Sequence, residues 1–222
     1  MKKKIFISVL IVIVIIIASI IFINLSNPKD SVKFKKEYEK LNGQKTENGK
    51  NYLKVSISKD NNVNYLEFDE VMSFLEEGTG ILYFGFPECP WCRNATPILL
   101  EAAKENETDI YYYNALSIRD VKELKDGKIV TTKKGTKNYY KLVDKLKDYL
   151  PAYDGLNDEN IKRLYFPTVF FLQSGKIVGM HEGTVDSQQD PYKVLTKKQR
   201  KELKDIYVNN INKIYGICDE SC

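Results

Sequence analysis

Two cysteines near the middle of the chain, Cys89 and Cys92, are the residues best suited to chemistry. Thiols at Cys-x-x-Cys spacing can close a disulfide across one helical turn, and the thiolate form can exchange that disulfide with another protein. Zinc sites use the same spacing but need two further ligands. The other soft ligands are His181, Cys218 and Cys222. A redox dithiol is therefore the favoured interpretation, and we expect neither a metal nor a cofactor at this pair.

The residues around the cysteines predict how the nucleophile is activated. Pro90 suits the first position of a helix because its missing N–H costs nothing there, which makes Cys89 the N-cap. Free N–H groups and the helix dipole favour a thiolate at that position. We expect Cys89 to be the nucleophile and Cys92, one turn into the helix and more buried, to be the resolving cysteine. Arg93 adds positive charge and Glu88 negative charge, and both are expected to tune the thiols.

Trp91, the only tryptophan in the chain, stands between the two cysteines. We expect it to be exposed and to pack against a partner polypeptide. The alternative is a residue that is merely tolerated on a surface turn.

A strand before the cysteines and a helix after them would position the motif. The apolar residues 81–84 predict a short buried strand, and the helix that follows contains Pro97, which should kink it. Further strands are predicted at 110–113 and 168–172, with an antiparallel partner for the latter at 176–180.

Periodic patterns outside the motif predict further elements. Alternation of polar and apolar residues predicts a strand at 52–58, with a second at 63–65. Helices are predicted at 69–77, within the polar segment 115–163, and after Thr196, which begins a capping box.

The N-terminal segment predicts a membrane anchor. Residues 5–25 are almost wholly apolar, and at ~1.5 Å per residue they would extend ~31 Å, enough to cross the hydrocarbon core. The lysines within residues 1–4 predict a cytoplasmic tip and an extracytoplasmic body, where disulfides persist. A cleaved signal peptide is the alternative.

Residues 26–50 are polar and lysine-rich. Phe34, Tyr38 and Leu41 recur at helical spacing and predict a short helix followed by a spacer, and we interpret the whole segment as a solvated stalk or linker.

Charge argues against a nucleic-acid partner. The formal net charge is +4, with 34 basic and 30 acidic residues. Removing the three lysines that precede the apolar run leaves 34 − 3 = 31 basic against 30 acidic residues. A near-neutral body lacks the basic surface that binding to nucleic acid requires.

The motif, the kinked helix and a later Phe-Pro-Thr at 166–168 together resemble the thioredoxin superfamily. The resemblance covers residues 53–214. It implies a thioredoxin-like α/β domain with a central mixed β-sheet flanked by helices. We accordingly assign residues 51–217 to this domain, with 115–163 as an insert before the strand that follows the proline.

The same resemblance implies a substrate-binding loop. Pro167 would be cis and would face the cysteine pair. Phe166 would offer its backbone to a bound substrate strand, with Trp91 and Thr168 as further substrate contacts.

Two narrower likenesses can be drawn, and the second points to a class of substrate. The Cys-Pro-aromatic-Cys form is similar to glutaredoxin-type sites. The anchor together with Phe-Pro-Glu-Cys-Pro-Trp-Cys-Arg at 86–93 resembles Gram-positive bacteriocin transport accessory proteins. That likeness implies an exported peptide as the substrate.

The chain departs from the superfamily at Tyr83. Many members carry a buried aspartate at this position, six residues before the first cysteine, where it acts on protons during resolution. The sequence therefore does not identify the group that accepts the Cys92 proton. Glu88 is one candidate substitute, and an ordinary exposed surface acid is the other reading of that residue.

The C-terminal residues 218–222 hold a second cysteine pair, Cys218 and Cys222. Three interpretations compete: a local structural disulfide, a mobile dithiol that relays electrons to the first pair, and a soft-metal site. A disulfide closing so small a loop would stabilise little.

These patterns predict a membrane-tethered enzyme that exchanges thiols and disulfides with exported proteins or peptides outside the cytoplasm. It would require a membrane or extracytoplasmic redox partner, and the sequence does not decide between oxidase and reductase. The alternative is a non-catalytic module of the same fold for peptide export or soft-metal handling.

Overall fold

A computed structural model describes residues 29–216 of the chain. The predicted anchor, the cytoplasmic tip and the terminal cysteine pair lie outside the described residues. No helix between residues 29 and 216 is long and apolar enough to span a bilayer.

Five helices and seven strands follow one another along the described chain. The helices are α1 (Asp30–Glu39), α2 (Phe68–Glu77), α3 (Pro90–Glu105), α4 (Lys137–Leu146) and α5 (Lys197–Ile214). The strands are β1 (Val63–Tyr65), β2 (Gly80–Phe84), β3 (Ile110–Tyr113), β4 (Val121–Lys125), β5 (Lys128–Lys133), β6 (Thr168–Gln173) and β7 (Lys176–Glu182).

The central sheet is mixed, as predicted, with strand order β1-β3-β2-β6-β7. β1 and β2 each pair in parallel with β3, whereas β6 pairs antiparallel with both β2 and β7. The four strands predicted around and after the motif are all present, and β2 lies in the middle of the sheet. The strand that leads to the cysteines is therefore held on both sides.

Helices cover both faces of this sheet, which explains why β2 is apolar at every position. Ile81 and Tyr83 belong to a core shared with α1, α3 and α5. Leu82 and Phe84 belong to a second core shared with α2 and α4. This arrangement confirms the predicted α/β class with a central mixed sheet flanked by helices.

The interpretation of residues 26–50 as a solvated stalk is wrong for α1. Phe34 and Tyr38 are fully buried, because they lie one turn apart on the face of α1 that packs on the sheet. The Phe34 ring lies 5.0 Å from that of Tyr112 on β3, edge to face. This helix is part of the domain.

The predicted strand at 52–58 is not paired with another strand. Val55 and Ile57 are buried, but their backbone groups bond to side chains instead. Asn42 donates to the Val55 carbonyl at 2.8 Å and accepts from its N–H at 3.0 Å. The Glu39 carboxylate accepts from the Ile57 N–H at 2.7 Å. The alternation correctly indicated burial but not pairing.

The insert at 115–163 contains the predicted amphipathic helix and an unpredicted hairpin. α4 buries Tyr139, Leu142 and Leu146. β4 and β5 form a separate two-stranded antiparallel sheet, with Asp126 and Gly127 at its turn in the left-handed region (φ 50° and 73°).

Candidate active site

Cys89 lies at the N-cap of α3, as predicted. β2 ends at Phe84, and a short loop leads to Pro90, the first helical residue. The Cys92 backbone N–H donates to Cys89 Sγ at 3.2 Å. Both sulfurs are free thiols. The sulfur therefore takes the position of a capping oxygen and accepts a donor that the first helical turn leaves free.

Burial separates the two cysteines in the predicted order. Cys89 is 4% exposed and Cys92 is 0% exposed. The small exposed area of Cys89 means that a partner sulfur must come into close contact with the surrounding loops to reach it. Cys92 is shielded from any partner that does not first react with Cys89.

The environment of Cys89 favours its thiolate. Burial disfavours the charged form, but hydrogen bonds from the Cys92 thiol and from the Cys92 and Trp91 N–H groups outweigh burial. Arg119 adds an attractive charge, and the net effect is to lower the Cys89 pKa. A thiolate at this position can act as a nucleophile.

Cys92 experiences the opposite effect. Burial raises its pKa well above the usual range, and the hydrogen bond and charge of Cys89 raise it further. The Phe86 backbone and the Tyr83 hydroxyl act in the other direction. Cys92 is therefore a protonated thiol as long as Cys89 carries a negative charge and no base removes the Cys92 proton.

Three hydroxyl groups form a buried cluster on the face of β2 that packs against α3. The Tyr83 hydroxyl lies 2.8 Å from Thr96 Oγ1 and 3.1 Å from the Tyr38 hydroxyl. Gly85 leaves room for this group, because a Cβ at position 85 would overlap the Tyr83 hydroxyl. The hydroxyl cluster, defined as Tyr38, Tyr83 and Thr96, occupies the place where the superfamily resemblance expected an acid.

The Phe166–Pro167 peptide bond is cis, as predicted. The Cys89 S–H donates to the Phe166 carbonyl oxygen at 3.6 Å. Among the described residues, the Phe166 N–H has no acceptor. The loop therefore contacts the nucleophile through one backbone group and leaves another available.

Thr168 does not fit its predicted contact with substrate. It is fully buried in β6, and its hydroxyl donates to the Tyr165 carbonyl at 2.9 Å. Its side chain holds the loop that precedes the strand, so a bound polypeptide would not reach it.

The sequence predicts that Arg93 tunes the thiols, but Arg93 is not among the main influences on the Cys89 pKa. It is 2% exposed, and its guanidinium makes four hydrogen bonds. The acceptors are the carbonyls of Leu53, Tyr38 and Pro87 and the side chain of Asn42, at 2.7–3.1 Å. The acceptors lie on residues 38–53 and on the loop before Cys89. Arg93 therefore connects residues 38–53 to α3 by hydrogen bonds.

Arg119, in the insert, is the cation that acts on Cys89, and no local pattern in the sequence signalled it. Its guanidinium carbon lies 4.8 Å from the centre of the Phe166 ring, and Nη1 donates to the Leu164 carbonyl at 3.4 Å. It forms no ion pair with an acid among the described residues, although Asp120 is its neighbour in sequence.

Glu88 fits the reading of an ordinary surface acid, and Trp91 is less exposed than predicted. Glu88 is exposed, and its charge acts on Tyr52 and Arg93 and is not among the influences on either cysteine. Trp91 is half-buried and packs against the core that contains α2 and α4. Trp91 also lines a cavity of about 300 Å³.

That cavity lies between the cis-proline loop and the loop after β7. Its lining includes Trp91, Tyr165 and Phe166 on the active-site side, and Glu182 and Asp186 on the other. No local sequence pattern indicates this cavity, because strand pairing brings its lining residues together from distant positions.

No group of three or more histidine, cysteine or acidic side chains among residues 29–216 could hold a metal ion. The arrangement of Cys89 and Cys92 is suited to thiol chemistry without one. The soft-metal and relay interpretations of Cys218 and Cys222 concern positions outside the described residues.

A comparison of the chain with models of protein families gave no match. A comparison with curated proteins likewise gave none.

Proposed function

We propose that the chain is a thioredoxin-like thiol-disulfide oxidoreductase that acts on exported proteins or peptides. The observation that carries the proposal is the asymmetry of the two thiols: Cys89 is an N-cap with a lowered pKa, and Cys92 is fully buried with a raised pKa. A structural dithiol would not need one activated and one protected sulfur.

The reaction proceeds in two exchanges. The Cys89 thiolate attacks one sulfur of a substrate disulfide, forms a mixed disulfide, and releases the other sulfur as a thiolate, which takes up a proton. Cys92 then loses its proton and attacks Cys89 Sγ, releasing the second substrate thiol. The substrate gains two electrons, and Cys89 and Cys92 are oxidised to a disulfide. Run in reverse, the same steps oxidise a substrate dithiol.

The thiolate-stabilising environment of Cys89 bears on direction. Whatever lowers its pKa stabilises the reduced enzyme, since the disulfide form has no thiolate, and so raises the reduction potential. The contacts that lower the Cys89 pKa therefore make this dithiol a stronger oxidant of substrates than it would be without them.

The compartment follows from residues 5–25, which we propose to be an uncleaved membrane anchor with the domain outside the cytoplasm of a Gram-positive bacterium. A membrane or extracytoplasmic redox partner would return the pair to its starting state. The likeness to bacteriocin transport accessory proteins makes a small exported peptide the first substrate to test.

The test is a Cys92→Ala variant of the full chain, which cannot complete the second exchange. It should accumulate mixed disulfides between Cys89 and envelope proteins that disappear on reduction. A Cys89→Ala, Cys92→Ala double variant is the control and should trap nothing. Failure of the single variant to capture any protein or peptide disulfide would contradict the proposal.

The terminal pair can be tested in the same system. If Cys218 and Cys222 relay electrons, replacing both by Ser should slow reoxidation of Cys89 and Cys92. An unchanged rate would remove the relay interpretation and leave the catalytic pair as the only exchanging dithiol.

A further inference from the structure

The cavity beside Trp91 lies within reach of a side chain on any polypeptide bound at Cys89. Phe166 lines the cavity, and its carbonyl oxygen is 3.6 Å from Cys89 Sγ. Trp91 lines it too and stands between the two cysteines. A residue close to the reacting cysteine of a substrate would therefore project toward this space.

The cavity combines aromatic walls with negative charge. Trp91, Tyr165 and Phe166 provide the walls, and Glu182 and Asp186 provide the charge. No lysine or arginine is among its lining residues. The nearby Arg163 lies over the Tyr153 and Tyr165 rings, at 4.0 and 5.3 Å, and makes no ion pair with Glu182.

Glu182 has an unused hydrogen-bonding group in this setting. Its Oε2 is buried and has no partner among the described residues. Burial without a counter-charge raises the Glu182 pKa to about 7. Gln188, another lining residue, is by contrast saturated by Thr184, Asp190 and Lys193.

We propose that this cavity is a specificity subsite that binds an arginine or lysine side chain next to the reacting cysteine of the substrate, with Glu182 as the counter-charge. This proposal rests on the proposed exchange at Cys89. A guanidinium would supply the missing partner of the carboxylate and could stack on the aromatic walls. An apolar side chain would fill the walls but deepen the burial of an unpaired carboxyl group, and an acidic one would be repelled.

The experiment uses the full chain in detergent, with Cys218 and Cys222 replaced by Ser so that one dithiol reacts. The substrates are short neutral peptides with one cysteine blocked as its mixed disulfide with methanethiol. In separate peptides, arginine, its neutral isostere citrulline, or glutamate is placed at one of the two positions before or the two positions after the blocked cysteine. Trp91 fluorescence follows the exchange, since it is the only tryptophan.

At one position the arginine peptide should have a kcat/KM about tenfold above that of the citrulline peptide, as expected for one charge-assisted bond. The isosteric Glu182→Gln variant should lose this preference, so that its kcat/KM values for the arginine and citrulline peptides become equal. Glu88→Gln is the matched control, because Glu88 is an exposed acid adjacent to Cys89 outside the cavity, and it should keep the preference.

The outcomes separate the two proposals. Equal rates for all peptides, or a preference that persists in Glu182→Gln, would overturn the subsite and leave the exchange reaction standing. If no peptide exchanges, the proposed function fails, and peptides with Ser in place of cysteine then test binding alone through Trp91 fluorescence. Tighter binding of the arginine peptide that depends on Glu182 would support the subsite, and equal binding would overturn it.

Discussion

The Tyr83 hydroxyl lies 2.8 Å from Thr96 Oγ1, on the face of β2 that α3 covers. The Tyr38 hydroxyl lies 3.1 Å from the Tyr83 hydroxyl and completes the cluster. Neither tyrosine can serve as an anionic base, because burial raises both pKa values far above the usual range. The hydroxyl cluster can still donate and accept hydrogen bonds. It can therefore stabilise a thiolate on Cys92 as that thiolate forms.

Tyr83→Phe should slow the second exchange, because its hydroxyl favours the Cys92 thiolate that must attack. Loss of one hydrogen bond predicts release from the mixed disulfide about fivefold slower. Stopped-flow measurement of substrate release, separated from the initial attack, checks this. The rate of the first exchange at Cys89 should stay close to that of the unaltered chain.

Tyr207→Phe is the matched control for Tyr83→Phe. Tyr207 is also a fully buried tyrosine of the same core, but its hydroxyl has no partner among the described residues. Its removal should leave the release rate unchanged. Equal slowing in both variants would show that Tyr83 acts only through packing.

Much of the site could be predicted because its signals are local. Cys89 as N-cap follows from Pro90 in the next position, and β2 follows from four successive apolar residues. The hairpin of the insert also carried a local signal that was missed. Asp126-Gly127 between two short runs is a typical turn for a two-residue β-hairpin.

The remaining features depend on contacts between distant segments. Arg93 is next to Cys92 in sequence, yet carbonyls from residues 38 and 53 hold its guanidinium in the core. Arg119 approaches Cys89 only because the insert folds over Phe166. Glu182 reaches the cavity because β7 pairs with β6, and neither its spacing nor its neighbours in sequence indicate this.

Arg119→Gln should make Cys89 a weaker nucleophile at acidic pH. Arg119 lowers the Cys89 pKa by charge attraction, so its removal should shift the pH profile of Cys89 alkylation to higher pH. At pH values below the midpoint of the profile the alkylation rate should fall roughly threefold, since the thiolate fraction controls it. The reduction potential should become more negative as well.

Two further variants test whether Arg119 acts through its charge. Arg119→Lys keeps the charge and should retain most of the effect. Arg200→Gln removes an arginine whose partner is Glu101 on α3, far along the helix from the cysteines, and should leave the profile unmoved. A profile unchanged in Arg119→Gln would refute the electrostatic role.

Arg93→Met should destabilise the fold and should not alter the intrinsic reactivity of Cys89. The variant removes four hydrogen bonds and leaves the three carbonyl acceptors without a donor, whereas Asn42 Oδ1 keeps the Val55 N–H; this predicts a loss of about 2–4 kcal/mol in the free energy of unfolding. Denaturant unfolding of the full chain in detergent measures it. Arg200→Met, in an exposed ion pair, should cost less than about 0.5 kcal/mol, and an equal loss in both would contradict the assignment.

Glu182→Gln should change how stability depends on pH. In the native state burial raises the Glu182 pKa from its ordinary value of 4.5 to about 7. Between these values the native protein holds a proton that the unfolded chain has lost, so the contribution of Glu182 to stability falls as pH rises through this window. It is constant below the window and again above it.

Glutamine cannot titrate, so in the variant the contribution of residue 182 to the free energy of unfolding does not fall as the pH rises. The free energy of unfolding of Glu182→Gln, relative to the unaltered chain, should therefore increase from pH 4.5 to pH 7 and then level off. Denaturant titrations of the full chain at a series of pH values measure the difference, with Glu88→Gln as an exposed control that should show no such trend. A flat difference for Glu182→Gln would mean that its carboxyl ionises freely in the native state, because water or a cation already compensates it.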